Sequence, residues 1–183
     1  MSLILGYADK GNAIIMSDGR AGGTISPSET YNKTIKINEN IIIGFAGIKE
    51  RIEFFLFHIL KEMGSHRNEY YVDDFLDMMD FHMKEKDTQI HLKSSFIIIG
   101  RTRQNDMVTS IVGNVTNFKI EKNIVLSPRL LTIGGTVDGN IINDIYFKNA
   151  KNSESPLEYM KNTIIQVSQI DNSVNSNIFY SSI

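Results

Sequence analysis

The sequence contains no cysteine, and that absence removes disulfides, zinc-thiolate sites and cysteine nucleophiles together. It fits the cytoplasm, the location we expect. An excess of either charge is also missing: 19 Lys plus Arg stand against 21 Asp plus Glu, for a formal net charge of -2. Such a balance gives no broad attraction to phosphate backbones and argues against a basic nucleic-acid module. Apolar runs such as Ile41-Ile42-Ile43-Gly44-Phe45-Ala46-Gly47-Ile48 fall far short of the ~20 residues a membrane-spanning helix needs. The first residues show no basic region leading into an apolar one, so no signal peptide is expected. There is no internal repeat, low-complexity tract or linker. What is there is a chain of 183 residues, 42% hydrophobic and 22% charged, the balance of one globular domain over residues 1–183.

The amino-terminal fifty residues read mostly as sheet. Leu3-Ile4-Leu5-Gly6-Tyr7-Ala8 and Ala13-Ile14-Ile15-Met16-Ser17-Asp18 flank the turn-forming Asp9-Lys10-Gly11-Asn12, which predicts a hairpin. A second hairpin is expected from Lys33–Ile37 and Ile41–Ala46 across Asn38-Glu39-Asn40. The period then changes. Ile48, Ile52, Phe55, Leu56, Ile59, Leu60 and Met63 recur at three- and four-residue steps and draw one apolar stripe on a helix. A second helix is expected from Val72 to Lys86, with Phe75, Leu76, Met79 and Met83 facing inward as core. Strands return at 95–100, 107–112, 117–120 and 130–133. Helices are expected from Val137 to Ala150 and, opened by Ser155-Pro156, to Ile170. Sheet and helix parts are segregated in the chain, which predicts an α+β fold with helices layered on antiparallel sheets.

Four stretches occur in a recognisable order: Ser2-Leu3-Ile4-Leu5-Gly6, Met16-Ser17-Asp18-Gly19-Arg20-Ala21, Lys33-Thr34-Ile35-Lys36-Ile37 and Gly44-Phe45-Ala46-Gly47. Together they resemble the proteasome β-subunits and the bacterial HslV proteases, a family of amino-terminal-nucleophile hydrolases. The residue-level likeness runs to about Gly47, while the order of elements follows the family over nearly the whole chain. The resemblance implies a four-layer α-β-β-α sandwich of two antiparallel sheets flanked by helices, assembled into a homo-oligomeric ring. It further implies a peptide or unfolded-protein substrate, an ATP-driven unfoldase as partner, and no cofactor, nucleic acid or membrane.

The same resemblance assigns Ser2 as nucleophile, Asp18 and Lys33 as its supports, Gly47 as oxyanion donor and Asp171 as a carboxylate behind the site. The chemistry suits these residue types. A leading Ser or Thr carries both a nucleophilic hydroxyl and a base, its own α-amine, whose ordinary pKa of about 7.7–8.0 lies close to neutrality. Lys33 would add positive charge that keeps that amine neutral, Asp18 would hold Lys33 charged and oriented, and Gly47 would offer its N–H to the oxyanion.

The chain also departs from the family pattern. Serine stands where threonine is usual, and it can act only after Met1 has left. Counting back from Gly47 puts Lys33 on the lysine position, whereas counting forward from Asp18 puts Thr34 there. Lys33 is preferred because loop length varies more easily than strand length. Gly135 falls where the family carries a serine, and Asn172-Ser173 follow Asp171 in place of a run of small residues. Phe45 and Lys49 fall where the family shapes its first specificity pocket, Phe45 making it shallower and Lys49 adding charge. A catalytically inactive ring of the same fold, used as a scaffold or binding surface, is the alternative, and an amidase with the same nucleophile is a third reading. Gly134-Gly135 lacks the Lys-Ser/Thr of a phosphate loop and reads as a tight turn. His58, His66, His82 and His91 show no metal-ligand spacing.

Overall fold

A computed structural model describes residues 2–21, 28–84 and 94–183. The first hairpin forms as its pattern predicts: β1 (Leu3–Ala8) pairs antiparallel with β2 (Ala13–Asp18). Asp9 closes its turn by accepting hydrogen bonds at 2.7 Å from the backbone N–H groups of Gly11 and Asn12. The second hairpin joins β3 (Thr34–Asn38) to β4 (Ile41–Gly47).

Further along the chain come α1 (Lys49–Met63), α2 (Val72–Met83), β5 (Ser94–Arg101), β6 (Met107–Gly113) and β7 (Asn123–Ile124). After them lie β8 (Arg129–Gly134), α3 (Gly139–Asn152), α4 (Pro156–Ile170) and β9 (Ile178–Ser182). Two antiparallel sheets result, ordered β8-β1-β2-β9 and β3-β4-β5-β6-β7.

Strand alternation explains how these pieces stack. Leu3, Leu5 and Tyr7 face α3 and α4, where they pack with Ile142, Tyr146, Met160 and Ile164. Ile4 and Ala8 face the other way, onto Ile42, Ala46, Ile97 and Ile99 of the second sheet. On that sheet's far side Ile41, Ile43 and Phe45 pack under α1 and α2. The layers are therefore α-β-β-α, the expected architecture. Gly44 lets the sheets close: a Cβ there would stand 2.5 Å from Ile15 Cγ2 and 2.7 Å from Ile4 Cγ2.

Several local expectations are corrected. Residues 117–120 form no strand, because Asn117 and Phe118 adopt φ of 49° and 59° after a 3₁₀ turn over Asn114–Thr116, conformations an extended chain cannot contain. Beyond Asp171, where the sequence pattern gave no further element, β9 pairs with β2 from Ile14 to Asp18. The third helix begins at Gly139 rather than Val137, where the Asp138 carboxylate accepts from Asn140 N at 2.9 Å. The second helix is described to Met83; its expected end at Lys86, and His91, lie outside the described residues.

Candidate active site

The two hairpins bring residues from β1, β2 and the start of β3 to one end of the sandwich. Asp18 is the last residue of β2 and is 0% exposed. Lys33 immediately precedes β3, with its side chain 3% exposed. Lys33 Nζ donates to Asp18 Oδ1 at 2.5 Å and to the Arg20 carbonyl at 2.7 Å.

Backbone amides complete the carboxylate's coordination. Leu3 N donates to Oδ1 at 2.9 Å, and Arg20 N and Asn175 N donate to Oδ2 at 3.0 and 3.3 Å. Of the two registers open in the sequence, it is the Lys33 side chain that meets Asp18. Thr34 is engaged elsewhere, donating to Asn32 Oδ1 and accepting from Ser181 Oγ, each at 3.0 Å.

Ser2 is held from two sides. Its hydroxyl donates to the Arg20 carbonyl at 2.9 Å, so Ser2 Oγ and Lys33 Nζ converge on one oxygen. Its own carbonyl accepts from Gly135 N at 2.9 Å. Burial pushes the Lys33 ammonium below its ordinary pKa, and the Asp18 charge and hydrogen bond oppose that fall. A dry ion pair is a poor stabiliser compared with apolar groups of the same volume. Its placement beside a hydroxyl is accordingly a reason to look for chemistry.

Gly47 closes β4 with φ of 146° and shares a pocket of about 10 Å³ with Ser2, Lys33, Tyr31, Phe45 and Lys49. Opposite it, Gly134 has φ of 90°, and a Cβ there would fall 1.6 Å from the Ser2 carbonyl oxygen. We therefore expect Gly134→Ala to destabilise the protein by about 1–3 kcal/mol through backbone strain alone and to displace Ser2. Gly139→Ala, where nothing lies within 4 Å of the added methyl, serves as the control. Thermal denaturation of both variants checks the contrast.

Asp171 is placed differently from the other four. It is 2% exposed and packs against the loop beyond Ser2. Thr136 N and Oγ1 donate to it at 2.6 Å each, Val137 N at 3.1 Å, and Ser173 N and Oγ at 2.8 and 2.6 Å. It thus clasps the residues next to Gly135 and bears on Ser2 at one remove.

Burial by itself would raise its pKa, but the donors from Ser173 and Thr136 outweigh that and hold it far below the usual carboxylate range. A depressed native pKa means that the unfolded chain binds the extra proton. The resulting stability is complete above the ordinary carboxyl pKa of about 3.9 and drains away as pH falls below it. Asp171→Asn should flatten this acid limb of a stability-against-pH curve measured by denaturant melts.

The carbonyl of Arg20 and the amide of Asn175 were invisible to sequence reasoning, since both act through backbone atoms. The Asn175 side chain reinforces the arrangement, accepting from Gly19 N at 2.8 Å and donating to Glu29 Oε2 at 2.9 Å. Arg20 Nε pairs with Glu29 Oε2 at 3.1 Å. His58, His66 and His82 bond to Phe54 O, Glu69 and Glu62 respectively. Among the described residues no group of three His, Cys, Asp or Glu could hold a metal ion, and no helix is long and apolar enough to cross a membrane.

No family model and no curated protein matches this sequence. The fold does have a counterpart among solved structures. The crystal structure of eukaryotic HslV from Trypanosoma brucei superposes with a TM-score of 0.70, covering 98% of each chain at 13% identity. At that identity the likeness establishes the fold, an HslV-like sandwich of the proteasome type.

Proposed function

We propose that this chain is an amino-terminal-nucleophile peptidase, with Ser2 as the first residue of its mature form, working in the cytoplasm as a homo-oligomeric ring. One observation carries the reading. The Ser2 hydroxyl and the Lys33 ammonium meet at the Arg20 carbonyl, and the Asp18 carboxylate binds both Lys33 and the amide of Leu3 beside Ser2.

With Met1 removed, the free α-amine of Ser2 takes the hydroxyl proton as Oγ attacks the scissile carbonyl. The buried positive charge of Lys33 keeps that amine neutral and stabilises the developing alkoxide. Gly47 N–H donates to the oxyanion, a kind of contact whose loss costs about 10² to 10³ in rate. The C–N bond then breaks, the leaving amine takes the proton from the Ser2 ammonium, and water hydrolyses the ester. Asp171 holds the loop that positions the Ser2 carbonyl. This chemistry calls for no cofactor; an ATP-driven unfoldase would supply the unfolded substrate.

A second reading, a catalytically inactive ring of the same fold, is favoured by the small volume, about 10 Å³, of the pocket beside Ser2. Intact-mass measurement followed by assay on reporter peptides separates the two. The peptidase reading expects loss of the Met1 mass and peptide hydrolysis. Quantitative retention of Met1 would sink it, because an amide nitrogen cannot accept the proton.

A further inference from the structure

We infer that a cleft at the end of the sandwich away from Ser2 binds a short peptide with unblocked ends and large apolar side chains, held by the Tyr159 phenol, Lys151 and Glu154. The inference stands apart from the peptidase reading, since it uses none of that site's groups. Where the chain turns from α3 into α4, Tyr7, Leu130, Phe147 and Tyr159 line a cleft of about 730 Å³, with Lys151 and Glu154 also on its wall. That volume lies within the range of small-molecule sites. Tyr7 stands five residues along the chain from Ser2, about 17 Å of strand. An occupant of the cleft therefore does not touch the residues gathered around Ser2.

Three polar groups of this cleft lack partners among the described residues. Tyr159 is 5% exposed, and its phenol makes no hydrogen bond. The neighbouring phenols do: Tyr7 donates to Asp9 Oδ2 at 2.7 Å and Tyr146 to the Gly6 carbonyl at 3.0 Å. A largely buried donor left unbonded is costly, so the Tyr159 phenol calls for an acceptor from outside the chain. Burial first, and then the Asp9 charge, push its pKa up to about 12, which keeps it a donor at neutral pH. That same Asp9 charge disfavours an anion beside the phenol and favours a neutral acceptor, the kind a peptide carbonyl supplies. Lys151 and Glu154 are exposed and form no ion pair, with each other or with any other described residue. One unpaired charge of each sign matches the carboxylate and the ammonium of a free peptide. Phe147, 54% exposed, offers the peptide's apolar side chains a ring to cover.

The test is calorimetric titration of the full chain carrying Ser2→Ala, so that no peptide is consumed. The probes are the dipeptide Phe-Leu, its acetylated form, its amidated form and Gly-Gly. Phe-Leu should bind saturably, one per chain, and at least tenfold more tightly than Gly-Gly. Tyr159→Phe should weaken it about three- to tenfold, the contribution of one hydrogen bond. Glu154→Gln should weaken Phe-Leu and its amide about two- to fivefold and leave the acetylated form unchanged. Lys151→Met should do the same to Phe-Leu and its acetylated form and leave the amide unchanged.

Absence of saturable Phe-Leu binding overturns the inference. So does binding that all three substitutions leave unchanged, which would put the peptide elsewhere, the surroundings of Ser2 included. An affinity that ignores blocking of both ends overturns the roles given to Lys151 and Glu154. Should Tyr159→Phe fail to fold, as judged by thermal melt, the two surface variants carry the test. Self-association that Phe147→Ser abolishes, found without peptide binding, would hand the cleft to a second copy of the chain and overturn the inference. None of these outcomes bears on hydrolysis at Ser2.

Discussion

Ser2→Ala should abolish peptide hydrolysis, lowering kcat by on the order of 10³-fold or more, while leaving the fold in place. The two effects separate for a structural reason. The hydroxyl makes one hydrogen bond, to the Arg20 carbonyl, and that oxygen keeps its bond from Lys33 when the hydroxyl is removed. The expected stability loss is that of one hydrogen bond, about 0.5–1.5 kcal/mol. The Ser2 carbonyl still accepts from Gly135 N, so the terminal strand stays registered. Ser2→Thr keeps the hydroxyl and the α-amine on one residue and should retain hydrolysis. Turnover by Ser2→Ala at the wild-type rate would remove the nucleophile from the assignment altogether.

The largest loss of stability is expected from Lys33→Met. Asp18 is wholly buried, and its counter-charge would vanish while the carboxylate kept only amide donors from Leu3, Arg20 and Asn175. Breaking a buried pair from one side typically costs about 3–5 kcal/mol, enough to bring a protein of ordinary stability close to unfolding. The double variant Lys33→Met with Asp18→Asn removes both charges, and most of that stability should return. Activity should not return, because the positive charge beside Ser2 is still absent. Denaturant melts and peptide assays on the single and double variants read the two outcomes independently. Restored stability accompanied by restored hydrolysis would show Lys33 to be structural only.

Much of this architecture could be read from local pattern. The strands at 3–8, 13–18 and 41–47 and the helices at 49–63 and 156–170 follow from periodicity, turn residues and caps, each set by neighbours within a few positions. The failures share a cause. Phe118 and Ile120 are apolar enough to suggest a strand, but the backbone turns left-handed at Asn117 and Phe118, so the pairing moves to Asn123–Ile124. Strand β9 is short and partly polar, and it exists because β2 offers it an edge about 160 residues away in sequence, a separation no local window can reach.

The candidate site divides in the same way. The resemblance to the proteasome and HslV proteases named Ser2, Asp18, Lys33 and Gly47 as a group, and their residue types suit a chemistry that calls for a hydroxyl, a carboxylate, an ammonium and a conformationally free amide. Only the tertiary structure showed that Lys33 and not Thr34 meets Asp18, set Asp171 against the Thr136 loop, and brought in the Arg20 carbonyl and the Asn175 amide. Side-chain chemistry is written in the letters of the sequence. Backbone donors and acceptors are the same at nearly every residue, and their meaning comes from where the packing of two sheets puts them.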